Sequence, residues 1–383
     1  MPRARGPVRG GRDRHPGAGA GAAAGAGRRA RRAGAGAAMS LFPDPPGIDT
    51  VRLAAYLRDA LPGADQAAEL AGPLRGELIE GGRSNLTYRL TDGATRWVLR
   101  RPPLGHVLPT AHDMGREYRV IRALRDTGVP VPGTWLLCTD PEVIGSPFYL
   151  MDEVPGVVLR GVGHDPLTRE QAERCGRTLV DVLVALHAVD PAEVGLADFG
   201  KPDGYLVRQV AIWHKQWQRS VTRELPGLQR LHDRLAGAVP DSGRAGIVHG
   251  DYRLDNVMFD PAVTRVLAVL DWEMCTLGDP LADVGLLHVY TVLAEQGARP
   301  GGGLEPGSGF PPAGQLTAWY AEATGVDLAQ LDWYIAFAYY KLAIILEGIH
   351  ARFLAGKTVG RDFETVGAMV PHLVEQGLSA AGE

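Results

Sequence analysis

Cysteine is scarce: Cys138, Cys175 and Cys275 are the only three in 383 residues, and no two share a CxxC spacing. That excludes a disulfide framework and a cysteine-built zinc site, and it suits a reducing cytoplasm. Long apolar runs are missing too. No stretch reaches the ~18 uninterrupted apolar residues a membrane span needs. The best one, IAFAYYKLAIIL (335–346), is broken by Lys341 and reads as a buried helix, so no membrane partner is expected. The chain also lacks a basic surplus in its folded part. Residues 1–38 hold nine Arg and one Asp; the remainder, with 31 basic and 43 acidic residues, carries −12. An acidic body makes a nucleic-acid backbone an unsuitable partner.

That first segment, residues 1–38, is almost wholly Gly, Ala, Arg and Pro, with nothing large and branched beyond Val8. It cannot offset the entropy of ordering, so it is expected to be a disordered tail, and it lacks the continuous apolar core of a secretory signal. Translation is expected to begin at Met39, which opens MSLFPDPPGIDTVRLAAYL. What remains is of ordinary globular composition, 45% hydrophobic and 22% charged, and is long enough for two lobes.

Asp49 or Thr50 is placed to cap a helix over 50–61 whose buried face holds Val51, Leu53, Ala54 and Leu57. ELIEGGRSNLTYRLTDGATRWVLRR (77–101) predicts strand, glycine turn, strand, a turn at Asp92-Gly93, and strand. Thr110 is read as the N-cap of an amphipathic helix over 111–128, ended by VPVP. TWLLCTD and PFYLMDEV read as two more strands. After residue 154 the pattern turns helical. Thr168 and Gln171 form a capping-box pair, YLVRQVAIWHKQWQRS continues the helices, a strand pair is expected around 247–271, and RPGGGLEPGSGFPPA (299–313) reads as a flexible surface loop. There is no internal repeat. The fold class is α+β and two-lobed: a small, mostly antiparallel β N-lobe over 39–153 and a larger helical C-lobe over 154–383.

Chemistry concentrates in four places: EGGRSN (80–85) between strands, WVLRR (97–101) on the next strand, Glu117 on the helix after it, and HGDYRLDN (249–256) followed by VLDWE (269–273). In order and spacing they resemble the aminoglycoside phosphotransferase and choline kinase-like family of the protein-kinase-like fold. LRRPP, REYRVIRAL, VPVP, HGDYRLDN and LDWEMCTLGDPLADVG are most similar to the kinase domain that animals fuse to acyl-CoA dehydrogenases and bacteria carry free-standing. The resemblance spans about residues 50–375, and the second-lobe motif is its most specific part.

The resemblance implies an ATP- and Mg2+-dependent kinase, because phosphoryl transfer needs positioning and charge neutralisation rather than covalent help. Asp251 is then the base for the acceptor hydroxyl, Asn256 and Asp271 offer oxygen to Mg2+, Arg253 neutralises the moving phosphate, and His249 braces the loop. Gly81, Gly82, Ser84 and Asn85 would cradle phosphates, although GGRSN is not GxGxxG. Arg100, with Arg101 as the one-residue alternative, stands where kinases carry a lysine and would pair with Glu117; Glu153 and Val154 offer backbone to adenine. Asp255 and Asp260 read as turn residues, and Asp279 and Asp283 as caps of the next helix. His187 suits the end of its helix, while Trp213, Trp217 and Gln209 belong to core and rim before any acceptor site. The implied acceptor is a hydroxyl on a small molecule, a hydroxyacyl-CoA or related hydroxy acid. A dehydrogenase acting with it is expected as a separate chain. An antibiotic phosphotransferase is the second enzyme reading, and a silent nucleotide-binding pseudokinase, suggested by the Lys-to-Arg change, is the alternative of another class.

Overall fold

The computed structural model describes residues 43–79, 85–105, 112–160, 166–241, 243, 245–298, 303–356 and 365–383. Thr110 and the turn residues Gly81, Gly82 and Ser84 lie outside them, as does the tail 1–38. Among the described residues no helix is long and apolar enough to cross a membrane.

A first helix, α1 (Thr50–Ala60), is capped by the Asp49 side chain on Arg52 N, and it buries Leu53, Ala54 and Leu57 while Val51 stays half-exposed. Five strands then make one antiparallel sheet: β1 (Arg75–Leu78), β2 (Leu86–Thr91), β3 (Arg96–Arg101), β4 (Thr134–Cys138) and β5 (Phe148–Asp152), in the order β1-β2-β3-β5-β4. The turn from β2 to β3 is held by Asp92, whose carboxylate accepts from Ala94 N and Thr95 N. Between β3 and β4 lies α2 (Met114–Leu124). Its cap is Asp113, which accepts from Arg116 N, and not Thr110; the helix opens three residues later than its amphipathic pattern suggests because Asp113 satisfies the first free N–H groups.

The chain next forms β6 (Val157–Val158), α3 (Arg169–Ala188), α4 (Tyr205–Ser220) and α5 (Pro226–Gly237). The Thr168–Gln171 capping box is present in both directions. The expected strand pair resolves into more strands. β7 (Gly246–Val248) pairs with β10 (Thr276–Gly278), while β8 (Val257–Phe259) and β9 (Val266–Val269) form a hairpin flanked by β6. Four helices complete the fold: α6 (Leu281–Glu295), α7 (Ala313–Thr324), α8 (Leu331–Leu354) and α9 (Val366–Ala380). The IAFAYYKLAIIL run is the middle of α8, buried against α4, α5, α6 and α9. Loop 299–313 departs from its surface reading: Leu304 and Pro311 are buried, and Pro311 packs so closely on α3 that a Cβ at Gly176 would meet it at 2.7 Å.

Candidate active site

HGDYRLDN leaves β7 at Val248, and its shape is set from below. Gly250 has φ 84, and a Cβ there would lie 2.7 Å from the Met274 carbonyl, so only glycine suits the position. The N–H groups of His249 and Gly250 donate to the two oxygens of Asp283, at 2.7 and 2.8 Å. Asp283 therefore does not cap α6. It sits inside the first turn of α6, fully buried, and holds the loop; Asp279, one residue before the N-cap Pro280, accepts from Leu281 N at 3.0 Å. Burial alone would raise the pKa of Asp283, but hydrogen bonds from His187 and the Gly250 N–H hold it below the ordinary carboxylate value. His187 does lie in the last turn of α3, and its ring joins Asp283 (3.3 Å) to the Tyr320 hydroxyl (2.8 Å). His249 accepts from Asp251 N on Nδ1 at 3.2 Å, so its proton is on Nε2 and donates to Leu270 O at 3.0 Å. Burial lowers its pKa, which fits a neutral brace.

The Asp251 carboxylate has three partners. Tyr290 on α6 donates its hydroxyl to Oδ1 at 3.1 Å, Asn256 donates Nδ2 to Oδ2 at 2.9 Å, and Arg253 Nε lies 3.3 Å from Oδ2. Arg253 also faces Asp255 at 3.3 Å and lies 5.0 Å over the Tyr290 ring. Asp255 is thus not a solvated turn residue. It is 9% exposed, and burial, reinforced by Asp251 and opposed by Arg253, pushes its carboxyl up to about 6. Asp260 does keep its turn role, accepting from Thr264 N and Arg265 N.

On the sheet side, Arg100 projects from β3. Its Nε lies 2.9 Å from Glu117 Oε2, and its Nη2 bonds Asp271 Oδ1. Burial works against the guanidinium charge, but the carboxylates of Glu117, Asp271 and Glu273 outweigh it and raise the pKa. Glu117 is buried, which raises its own pKa even beside Arg100, and it accepts from Tyr149 at 2.9 Å and Asn85 at 2.8 Å. Arg101, the alternative, points to the opposite face of the strand and donates to Gly47 O and Ile144 O, so the one-residue ambiguity resolves to Arg100. Asn85 gives its amide protons to Glu117 and Glu273, and its buried Oδ1 has no partner among the described residues. Glu153 pairs with Arg89, and Val154 follows β5 in the connector, its carbonyl accepting from Gly156 N.

Asn256 and Asp271 come to the same end of the hairpin because β8 and β9 pair Val257 with Val269 and Leu270 N donates to Asn256 O at 2.8 Å. Asp271 adopts a left-handed backbone, φ 66, which aspartate tolerates better than most residues. Asn256 spends its Nδ2 protons on Asp251; its amide oxygen and the Asp271 carboxylate are hard donors that suit Mg2+, which takes one or two protein oxygens and completes its shell from phosphate and water. No group of three His, Cys, Asp or Glu side chains forms a metal cage among the described residues.

A cavity of about 360 Å3 opens beside the loop, within the range of small-molecule pockets. Arg253, Asp255 and Tyr290 form its wall toward Asp251; Leu179, Leu287 and Leu304 give it an apolar floor and cover. Trp213 and Trp217 are not in it; they pack on the core between α4, α5, α8 and α9. Cys275 is buried, which pushes its thiol pKa up, consistent with an inert side chain. Sequence reasoning missed Tyr290, since nothing in GLLHVY marks its hydroxyl, and it missed the reach of Asp283 and the burial of Asp255.

Set against known proteins, residues 75–322 match the model of the phosphotransferase enzyme family. The chain is 34% identical over 339 residues to the human acyl-CoA dehydrogenase family member 11, covering 86% of this chain and 43% of that protein. It thus spans less than half the length of such curated relatives. A solved structure from Ralstonia eutropha, named as a candidate aminoglycoside phosphotransferase, aligns at TM-score 0.73 and 35% identity over 87% of this chain and 98% of its own. An aminoglycoside phosphotransferase in ternary complex with AMP-PNP and hygromycin B shares the fold at TM-score 0.57 and 14% identity, over 86% of this chain and 98% of its own. A two-lobed α+β kinase-like fold, a loop reading H-G-D-x4-N with its asparagine at the same end of the hairpin as Asp271, and these likenesses agree: the chain belongs to the phosphotransferase enzyme family.

Proposed function

We propose that this protein is an ATP- and Mg2+-dependent kinase that phosphorylates a hydroxyl of a small molecule, with a hydroxyacyl-CoA or related hydroxy acid as acceptor. The observation that carries the reading is Asp251 bonded to Asn256, with Asp271 one residue beyond the Leu270–Asn256 backbone bond and joined by Arg100 to Glu117. Asp251 takes the proton of the acceptor hydroxyl as its oxygen bonds the γ-phosphorus. The bond from that phosphorus to the bridging oxygen breaks, and ADP leaves with the electron pair. Asn256 and Asp271 would hold Mg2+, which neutralises phosphate charge when bound. Arg253 stands on the acceptor side of Asp251, and the cavity it walls is the proposed acceptor chamber. Use of ATP is supported by the AMP-PNP that the distant structural relative binds. The hydroxyacyl acceptor is supported by the printed names of relatives 34% identical to this chain over the 339 aligned residues, and it makes an acyl-CoA dehydrogenase the natural enzyme to act on the same molecule.

The test is phosphate transfer from γ-labelled ATP with Mg2+ to a hydroxyacyl-CoA panel and an antibiotic panel, with Asp251→Asn as control. Transfer to a hydroxyacyl-CoA that the variant abolishes supports the proposal. Transfer only to an antibiotic keeps the mechanism and replaces the acceptor. Binding of Mg-ATP without transfer to any acceptor makes the protein a pseudokinase.

A further inference from the structure

We propose that Lys341 of α8 is a positioning residue for phosphoryl transfer, holding the Gly250 carbonyl and through it the backbone that aims Asp251. This inference rests on the kinase reading and goes beyond it by adding a cation to the centre that no motif supplies.

Lys341 is the one charged residue in the apolar run 335–346, and its surroundings give it little reason to be lysine. It is 9% exposed, flanked by Tyr340 and Leu342 that are buried themselves. A methionine would fill similar space without the cost of desolvating an ammonium group. Its Nζ donates to Gly250 O, the carbonyl of the peptide bond that leads into Asp251. The same ammonium lies 5.5 Å from the centre of the Trp213 ring on α4. The charged groups acting on it are Asp251 of the loop and Asp283 of α6; α4 contributes only the tryptophan face. Burial lowers the lysine pKa, and the two carboxylates oppose that change.

The arrangement has a mechanical consequence. The Gly250 peptide unit on the amino side is tied by its N–H to Asp283, and the one on the carboxyl side by its oxygen to Lys341. Gly250 has the freest backbone in the loop and a positive φ, so two tethers are what stop its rotation from swinging Asp251. One tether belongs to α6 and the other to α8. Because α8 also packs on α4 through the Trp213 contact, movement of that helix pair is felt at Asp251. A cation is the strongest available donor to a carbonyl in a water-poor site. Retaining it there keeps a positive charge within electrostatic reach of the carboxylate that accepts the hydroxyl proton.

Three variants separate tether from charge: Lys341→Met loses both, Lys341→Gln keeps a donor, and Lys341→Arg keeps donor and charge. Thermal melts establish folding, ADP-Mg2+ titration measures nucleotide affinity, and steady-state transfer gives kcat and both KM values. The expected result is a fall in kcat of about a hundredfold for Lys341→Met, a smaller fall for Lys341→Gln, and activity within about tenfold of wild type for Lys341→Arg, with ADP affinity and both KM values within about twofold. Should Lys341→Met not fold, the Gln and Arg variants carry the comparison. Equal kcat in wild type and every folded variant overturns the proposal, as does a loss that appears in KM or nucleotide affinity alone. A wild-type chain that binds ADP-Mg2+ but transfers phosphate to no acceptor overturns the kinase reading, and this inference with it; an active wild type with unaffected variants overturns this inference only.

Discussion

Two arginines in this protein each join carboxylates, and they are assembled in opposite ways. Arg253 meets Asp251 and Asp255, each two residues away along the loop, and all three were visible in HGDYRLDN. Arg100 meets Glu117, 17 residues on and in another element, and Asp271, which is 171 residues away. The first cluster is written into eight consecutive residues; the second exists only once β3, α2 and the β9 end have been brought together. The arginine contacts of the local cluster are short-range, but its Asp251 is still held from α6, through Tyr290. The distant one is itself a fastener between the sheet and the helical part, and its chemistry depends on that closure. Exposure divides the distant cluster itself: Asp271 is 28% exposed in its side chain, but Glu117 is 1% and Arg100 12%, so that pair is dry and costly to leave half-made.

The largest expected effect tests the local cluster. Asp251→Asn retains the fold and lowers transfer by about 10²–10⁴-fold, the usual loss on removing a general base, measured by single-turnover transfer from labelled ATP. Activity within tenfold of wild type would break the assignment of the loop as the reacting centre.

Next comes the distant cluster. Arg100→Met leaves Glu117 buried without its cation and is expected to cost about 3–5 kcal/mol in urea melts, along with about 10²-fold in transfer. Arg100→Met combined with Glu117→Leu recovers part of the stability and none of the activity. Recovery of both would mean that the pair is a fastener with no part in transfer.

A third test addresses the carboxylate that pins the loop. The folded pKa of Asp283 lies below its ordinary 3.8, so its contribution is complete above that value and is lost as pH falls through the lower folded value. Asp283→Asn should cost about 1–3 kcal/mol at neutral pH and remove this share of the acid dependence, read from urea melts at several acid pH values. A variant whose acid unfolding profile parallels that of wild type would show that the pin titrates no differently in the folded chain.

The smallest effect is at Tyr290. Tyr290→Phe removes one hydrogen bond to Asp251 and is expected to lower kcat about tenfold, equivalent to ~1.4 kcal/mol, with the fold intact by thermal melt. An unchanged kcat would leave Arg253 and Asn256 as sufficient supports for the carboxylate.

Much of this was readable beforehand where neighbours in space are neighbours in sequence. The Thr168–Gln171 box, the Asp92 turn, the strands TWLLC and FYLMD and the span of α4 all follow from residues within a few positions of one another. Local hydrogen bonds and period-two or period-3.6 burial leave their pattern in a short window, so they survive without the fold. Asp113 in place of Thr110 is a miss of the same local kind: both residue types suit a cap, and the helix begins at Met114, where Asp113 accepts from Arg116 N.

The sequence by itself determined where the polar residues of HGDYRLDN fall, and its resemblance to a known family pointed to the kinase-like class and to Asp251, Arg253, Asn256, Asp271 and Arg100 as candidates, because motifs of short spacing survive without the fold. Tertiary structure alone decided that Arg100 and not Arg101 faces Asp271, that Asp283 holds the loop instead of capping α6, that His187 serves Asp283, and that Tyr290 reaches Asp251. Those choices depend on which face of a strand or helix turns inward and which polar groups are left to satisfy once it does. A buried donor or acceptor without a partner costs about 1–3 kcal/mol, so the packed fold selects the partner, and residues tens or hundreds of positions apart are matched by that demand.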